Sequence, residues 1–531
     1  MATSYFAPAF DVRIEGLTLG ADVTRAVIEV SYDNNLDTAD MFTLKLNNAD
    51  LKLTDSALFD VGKQVEVHMG YVGELAPMIL GEITALNPSF PQSGAPTLSI
   101  TGYDKSHRMR HNTPERFTFK YMNDSVIAAV IAAENLLIPL IDPAPTPPRE
   151  SVQQTGSDWA FLKELAERNC FEVFVRWDKI YFRFPRPQTE MTTLEWGRNL
   201  SSFSPRLSTS AQAGIQVLRG YDYKLAQAIV AILPAVSLGS NLDDFVERLG
   251  SSFLEQLVSF GRYVVRDKPV NNYFDAAVIA KSVLMKLLEG LYEGTGSCIG
   301  MPQLRAGDYI EIKGVGKRFS GRYKLSKVTH TINDGGYLTH FELSQNINGS
   351  LLQSLRKKLI DSPSPDKQDP AGPGGGVVVG KVENNIDPEG MGRVQLSFPH
   401  LSDVNLSAWA RIAAPMTGST AGTYFLPDIG DEVLVCFEGG SIDKPIVLGG
   451  LWNGVNRPPA VNAGLNEKKM IKLKSGMQIV FDETPGFESL TIQDKMGSSI
   501  QMSSPSGDIV IQAKGNVTIK SGPAGKVDLN P

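Results

Sequence analysis

The chain is poor in cysteine, and the three it has are badly placed for any joint task. Cys170, Cys298 and Cys436 lie far apart in a sequence of 531 residues. They are odd in number, so no disulfide framework and no Cys-x-x-Cys metal site can be built within one chain. Nor is there a run of eighteen apolar residues; the longest helical apolar stretch, around 225–238, is interrupted by Pro234. The first ten residues, MATSYFAPAF, lack a basic region followed by an apolar core, so no secretory signal is visible. Assembly in the cytoplasm is expected, with any release by another route. Positive charge is not in excess either: 51 Lys and Arg stand against 58 Asp and Glu, a formal charge of -7. A dedicated nucleic-acid binder usually shows a basic face, and none is implied here.

Glycine (49) and proline (32) are frequent, which points to strands and turns. The length exceeds what one core can hold, so three or four domains are expected. Residues 5–102 alternate apolar and polar at Phe10-Val12-Ile14, Phe42-Leu44-Leu46, Val65-Val67-Met69 and Leu98-Ile100. Turns are expected at Asp33-Asn34-Asn35 and at 47–50, giving an antiparallel barrel or sandwich. Helices are expected over 126–137, capped by Asp124 or Ser125, and over 159–169 after Ser157-Asp158. Aromatic strands follow at 171–176 and 179–184, with a turn at Asp178. A second β region opens near 215–217 and is interrupted by helices at 242–260, capped by Asn241, and 275–292. It resumes at 308–313, 321–328 and 337–344. The segment 361–376, DSPSPDKQDPAGPGGG, reads as a linker, because Pro and Gly forbid regular structure there.

One local pattern recurs. Gly62-Lys-Gln-Val65-Glu66-Val67 leads to Gly81, and Gly430-Asp-Glu-Val433-Leu434-Val435 leads to Gly449 at the same offsets; Gly307-Asp-Tyr-Ile310-Glu311-Ile312 runs to Gly321 with a shorter turn. Each reads as a glycine-initiated strand, a turn and a returning strand that ends in a glycine kink. Either the chain holds three related small barrels or hairpins happen to look alike.

Residues 466–531 carry seven short segments with paired apolar residues in strict alternation: Ile471/Leu473, Ile479/Phe481, Leu490/Ile492, Ile500/Met502, Ile509/Ile511, Val517/Ile519 and Val527/Leu529. Such alternation bounded by Gly, Pro, Asn and Ser marks short strands with one buried face, and the spacing suggests a repeating solenoid. No helix in the segment can cover that face. At ~1.5–3 kcal/mol per side chain, roughly 20–40 kcal/mol of burial is left unclaimed by a lone chain, before entropy is subtracted. Three copies wound about one axis would hide the face and pair every edge; a single-chain β-solenoid or a collapsed stack of hairpins is the alternative.

Catalytic and ligand-binding patterns are sparse. His107 and His111 stand four apart, but Arg108 and Arg110 beside them disfavour a cation. Gly314–Arg318 and Gly522–Val527 lack the spacing and the Ser/Thr of a phosphate loop and are expected to be hairpin turns. Asp482 and Glu483 are expected to be solvated turn residues, with no surrounding fold to raise a general acid's pKa. The aromatics Trp409, Tyr424, Phe425, Phe437 and Trp452 are expected to pack a core rather than to stack on bases. No metal or cofactor site is implied.

From 380 onward four blocks resemble a known family. They are Gly380–Pro388 followed by Gly392-Arg393-Val394, then 407–411 (SAWAR), 425–433 (FLPDIGDEV) and 445–454 (PIVLGGLWNG). The pattern is that of VgrG-like and phage baseplate hub–spike proteins of contractile injection machines, carried by Asp387, Pro388, Gly392, Arg393, Trp409, Pro427, Gly430, Asp431, Glu432 and Gly449. The resemblance implies a mainly β fold with helical insertions: a first hub barrel at 1–102, an α+β hub subdomain at 103–204, a second hub barrel with a helical insertion at 205–360, the linker 361–376, an OB-fold neck at 377–459 and a trimeric β-helical needle at 466–531. It further implies a homotrimer in which two barrels per chain make six around a threefold axis and so receive a sixfold inner tube. Baseplate proteins would surround it, a PAAR-type tip protein would dock at Lys526, Val527, Asp528, Leu529, Asn530 and Pro531, and the needle would pierce a target envelope on sheath contraction as part of a tail-like particle. Fewer than a dozen residues separate Pro458-Pro459 from Lys469, so the muramidase that some phage spikes carry there does not fit, and no fused effector is expected after the needle. A non-enzymatic role follows; a tail lysozyme and a β-helical adhesin fibre are the rivals.

Overall fold

The computed structural model describes residues 7–111, 118–154, 156–186, 190–209, 214–222, 224–235, 237–238, 247–249, 261–265, 273–343, 377–398, 406–462, 464–523 and 525–528. Two compact units account for the chain, 1–449 and 450–531.

In the first unit the N-terminal alternation becomes seven strands: Pro8–Ile14, Leu17–Thr18, Val27–Asn35, Met41–Asn47, Gln64–Tyr71, Glu74–Ser89 and Thr97–Asp104. The apolar residues singled out from 12 to 100 are buried together, because every second side chain of a strand points to one face. Two expectations fail here. Asp33, Asn34 and Asn35 do not form a turn but end the strand Val27–Asn35. They can do so because the Asp40 carboxylate, on the far side of the real turn, accepts from Tyr32 Oη (2.7 Å), Asn34 Nδ2 (2.7 Å) and the Asn35 backbone N–H (3.1 Å). Nor is the first region a separate body ending at 102. The strand Gly321–Asn333 pairs antiparallel with Val27–Asn35, from Lys327↔Asn35 to Asn333↔Glu29. The regions 1–102 and 205–360 thereby merge into one thirteen-stranded sheet, and Ile332 and Tyr337 join the same core as Val30 and Tyr32. At thirteen residues, Gly321–Asn333 is long enough to serve two partners in succession: its first residues pair with Tyr309–Lys313 and its last with Val27–Asn35.

A second buried carboxyl lies beside Asp40. Asp104 accepts from the Ser106 backbone N–H (3.1 Å) and from Ser106 Oγ (2.6 Å). Burial, reinforced by the Asp40 charge, pushes it up to about 8. A folded-state pKa above the unfolded one means that the contribution of this carboxyl to stability falls as pH rises from about 4 and is lowest above about 8. Asp104→Asn keeps an acceptor for Ser106 and removes the ionisation. It is expected to stabilise the protein by on the order of a few kcal/mol near pH 8 and by almost nothing near pH 4. Thermal melts at the two pH values check this, and equal shifts at both would contradict it.

The α+β region packs the helices Ser106–His111, Asp124–Glu134 and Asp158–Arg168 against the hairpin Glu172–Arg176/Lys179–Arg183, the parallel strand Ile138–Ile141 and the pair Thr118–Met122/Arg149–Gln153. Its core holds Ile127, Ile131, Phe161, Leu162, Leu165 and Phe182 among others. Ser157 caps its helix as expected, accepting from Ala160 N–H. The other helix is capped by Asn123, not by Asp124 or Ser125: Asn123 has extended backbone and accepts from Val126 N–H at 2.9 Å, which leaves the next two residues inside the first turn.

Further on, Ile215–Asp222, Gln227–Pro234 and Arg262–Val265 form a small sheet under the helix Tyr273–Glu289. Tyr292 is not part of that helix; it opens the strand Tyr292–Ile299. The helix expected at 242–260 falls outside the described residues except for 247–249, which are helical. The linker 361–376 also lies outside them.

The neck is a five-stranded sheet in the order Gln395–Ser397, Val377–Asn384, Glu432–Phe437, Pro445–Leu451, Arg411–Ile412. Val382, Val394, Leu396, Phe398, Val433, Val435 and Val447 fill its core. The recurring glycine pattern has a common geometry. Gly62, Gly307 and Gly430 all sit at positive φ (92°, 88° and 95°), two residues before a strand. Each donates its N–H to a residue on a neighbouring strand, and that residue returns a bond to the carbonyl following the glycine: Ile83 with Lys63, Leu325 with Asp308, Val382 with Asp431. The far ends differ. A Cβ on Gly81 would lie 2.7 Å from the Tyr103 carbonyl, whereas one on Gly449 would meet nothing.

Candidate functional site

Two places carry the residues that the sequence singled out: the exposed face of the C-terminal ribbon, and a buried ion pair in the neck.

The ribbon is an antiparallel meander of five strands, Lys468–Lys472, Gln478–Asp482, Ser489–Gln493, Ser499–Ser503 and Ile509–Gln512. Glycines at positive φ serve its turns, Gly476, Gly486, Gly497 and Gly507 among them. The register sorts its side chains. Ile471 faces Ile479, Ile479 faces Ile492, Ile492 faces Ile500 and Ile500 faces Ile511. Beside this column runs a second, in which Phe481 faces Leu490, Leu490 faces Met502 and Met502 faces Ile509. Directly opposed residues share a face, so nine of the fourteen expected core residues form one apolar surface two side chains wide. The other face is mostly polar, with Thr491, Gln501 and a bond from Gln478 Nε2 to Gln493 Oε1 (2.8 Å). Ion pairs join Lys468 to Asp482 and Lys469 to Glu483 across the first hairpin.

Within the single chain this apolar face is uncovered: Phe481 is 46% exposed, Ile492 45% and Ile509 65%. Leu473 lies just past its strand, donating from its backbone to Met477 O in the turn. Val517, Ile519 and Val527 are exposed and outside any strand, so the sixth and seventh expected strands are not formed by the described residues of one chain. A strand needs a neighbour for its backbone bonds, and neither segment has one here. Of the expected tip surface, Lys526, Val527 and Asp528 are exposed, while Leu529, Asn530 and Pro531 lie outside the described residues.

In the neck, the sequence DPEGMGR folds around one carboxylate. Asp387 accepts from the backbone N–H groups of Glu389 (3.0 Å), Met391 (2.9 Å) and Arg393 (3.2 Å). It is also gripped by the Arg393 guanidinium, from Nε at 3.0 Å and Nη2 at 2.7 Å. The Asp387 and Arg393 side chains are 3% and 1% exposed, and Arg393 lies 5.7 Å from the Trp409 ring centre. The guanidinium bonds and the backbone donors hold Asp387 well below the ordinary carboxylate range. Gly390 and Gly392, at φ of 66° and 68°, let the loop close. Asn385, which the motif reading passed over, ties this loop to the next block through a bond from its Nδ2 to Pro427 O (3.1 Å). There Gly430 and Asp431 bond Val382, while Asp431 accepts from Asp428 N–H. Glu432 begins a strand, and Gly449 lies in Pro445–Leu451. The motif is thus structural: it knots the loops that close the neck. Pro388 sits within the knot and makes no bond of its own to it.

His107 lies on the helix Ser106–His111, its Nδ1 2.7 Å from Asp104 O. Among the described residues no three His, Cys, Asp or Glu side chains gather so as to hold a metal, and no helix is long and apolar enough to cross a membrane.

Residues 7–334 match the family described as the Alg8 N-terminal domain. Residues 378–452 match the type VI secretion system/phage-baseplate injector OB domain. The chain is similar, at 30% identity over 184 residues, to the type VI secretion system spike protein VgrG1a of Pseudomonas aeruginosa, covering 33% of this chain and 27% of that protein. It is 29% identical over 131 residues to the spike protein VgrG3 of Vibrio cholerae, covering 24% of this chain and 12% of that one. The matched stretch therefore spans under a third of the length of either relative. In fold it is similar to a chain of the Francisella PdpA–VgrG complex, with a TM-score of 0.54 at 9% identity over 95% of this chain and 88% of that one.

Proposed function

We propose, on the premise that this chain belongs to the Alg8 N-terminal domain family and is a VgrG-like baseplate spike protein, that three copies form the hub and spike of a contractile injection machine. The observation that carries this reading is the two-column apolar face. Its uncovered isoleucines recur at every strand, and a face of that regularity is matched most economically by identical faces placed around one axis. In that assembly Val517, Ile519, Val527 and Leu529 gain strand partners from neighbouring chains and extend the needle. Seven strands at ~4.8 Å each would give it roughly 34 Å, short enough that a PAAR-type tip protein on residues 526–531 completes the point.

The recurring glycine-initiated strand supports two barrel-like halves per chain in the N-terminal sheet, six in a trimer, onto which a sixfold inner tube would stack. Sheath contraction would drive the tube and the needle ahead of it through the target envelope. The particle would be assembled in the cytoplasm and released as a tail-like body. Its action is mechanical; the relatives named above are spike proteins, and no catalytic step is assigned. Native mass spectrometry of the full chain tests the central claim. The expected species has three times the 57.8 kDa of one chain; a monomer at micromolar concentration would refute it.

A further inference from the structure

The neck and the N-terminal region meet without sharing an apolar core. Among the described residues, the buried apolar cluster of the neck contains neck residues alone. The N-terminal parts, by contrast, share theirs: Ile332 and Tyr337 complete the first core, and Leu36, Phe174 and Ala306 form another across three regions.

Among the described residues, polar bonds join the neck to the rest of its unit, and most of them gather at the end of one strand pair. Thr118 and Gln153 are cross-strand partners where Thr118–Met122 meets Arg149–Gln153. Thr118 Oγ1 donates to Leu406 O at 3.2 Å, and the Gln153 backbone N–H donates to Asp443 Oδ1 at 2.6 Å. With the Gln153 amide turned to satisfy both of its atoms, Nε2 donates to Ile442 O (2.9 Å) and Oε1 accepts from Ala408 N–H (3.2 Å). Two neighbouring side chains of the seat thus read three backbone groups of the neck. Arg149 Nη1 stands 3.7 Å from Asp443 Oδ2 and binds Asp124 at 2.8 Å with Nη2; Lys224 bridges to Glu389 at 2.6 Å.

We propose that this strand end is a release seat, from which the neck departs as an intact folded body when axial load or a change of conditions outweighs its few polar bonds. An apolar joint resists separation in proportion to the area buried, whereas hydrogen bonds exchanged for water contribute only ~0.5–1.5 kcal/mol apiece. A joint made of the latter opens at modest cost and closes again in one register. Chain continuity alone keeps the neck attached when the joint opens.

The seat is also proton-linked. Asp443 packs against Arg149 and Gln153, with Glu164 and Arg168 on the neighbouring helix and Lys444 beside it. Burial pushes it up to about 6, against the pull of Arg149. A carboxyl that gains a proton more readily when seated favours seating as pH falls from 7 toward 5.

Hydrogen exchange on the full chain tests both claims. The double variant Thr118→Val/Gln153→Ala is expected to raise exchange at the amides of Ala408 and residue 153 by tenfold or more, while amides of Glu432–Phe437 in the neck core keep their protection. Loss of core protection in step with the seat, or an unchanged seat, would overturn the release model. In the native chain, protection of the same two amides, corrected for intrinsic rate, is expected to rise between pH 7 and pH 5 and to lose that dependence in Asp443→Asn. A flat or opposite trend in the native chain would overturn the proton linkage.

Discussion

Aspartate in place of Ile492 is expected to leave the chain monomeric while residues 1–449 stay folded. Ile492 lies in the middle of the longer apolar column, facing Ile479 on one side and Ile500 on the other. In the proposed assembly three copies of that position approach one axis in a dry core. An unpaired carboxylate there costs several kcal/mol, and three would meet. The single chain, in which the side chain is 45% exposed, has no reason to object to the change. The effect therefore separates assembly from folding: light scattering should report one chain instead of three, and the melting transition of the first unit should hardly move. Ile492→Val, which removes one methylene, should stay trimeric. A trimer that survives Ile492→Asp with normal melting would mean that this face is not the interface.

The second large effect is expected at the neck. Asp387→Asn removes the charge opposite a guanidinium whose side chain is 1% exposed. Half-exposed Glu389, 3.4 Å from Arg393 Nη2, is then the nearest remaining carboxylate and compensates only in part; breaking a buried pair typically costs ~3–5 kcal/mol. The amide also places an N–H₂ where the carboxylate accepts, so it cannot serve all three backbone donors and Arg393 at once. Denaturant unfolding followed through the neck tryptophans should show the loss. The pH dependence has a definite sign. Because the folded-state pKa of Asp387 lies below the unfolded one, the pair's contribution is complete above about pH 4 and is lost as pH falls further toward the folded value. The native neck should therefore weaken below about pH 4 more steeply than the Asn variant. Parallel acid limbs would show that the carboxylate is not what holds the loop.

The legible parts of this chain are those in which the physics is local. Period-two alternation assigned Ile471, Ile479, Phe481, Leu490, Ile492, Ile500, Met502, Ile509 and Ile511 to one face because side-chain direction in a strand depends on nothing beyond the strand. At Val517 and Ile519 a single chain does not decide the matter: alternation marks a face, but a strand exists only where a neighbour accepts its backbone bonds, and in the proposed trimer that neighbour belongs to another chain. Asp33-Asn34-Asn35 looked like a turn because those residue types favour turns when their side chains bond locally; here Asp40 takes Asn34 and Asn35 into its own network, and Asp33 accepts from Thr329 Oγ1 on the neighbouring strand. The helix cap was misplaced by a residue or two for a similar reason, since Asn123, Asp124 and Ser125 are all competent caps and backbone conformation chooses among them. The family motif in the neck was visible as spacing, yet its purpose, one carboxylate closing a loop on a buried arginine, appears only in three dimensions. The seat for the neck carried no sequence signal at all, because Thr118 bonds a backbone oxygen 288 positions away and the Gln153 backbone N–H bonds a carboxylate 290 positions away.

The strand Gly321–Asn333 has a consequence for how the chain is made. Its partner Val27–Asn35 is translated first and, on the edge that Gly321–Asn333 will cover, waits for roughly 300 further residues. At ~5–20 residues per second that interval is roughly 15–60 s, during which the backbone donors and acceptors of Val27–Asn35 on that side face whatever else the cell provides. Ribosome-bound and prematurely terminated chains shorter than about 320 residues are thus the species most prone to pair with one another through this edge, and a chaperone holding that segment would act before the proposed trimer could assemble.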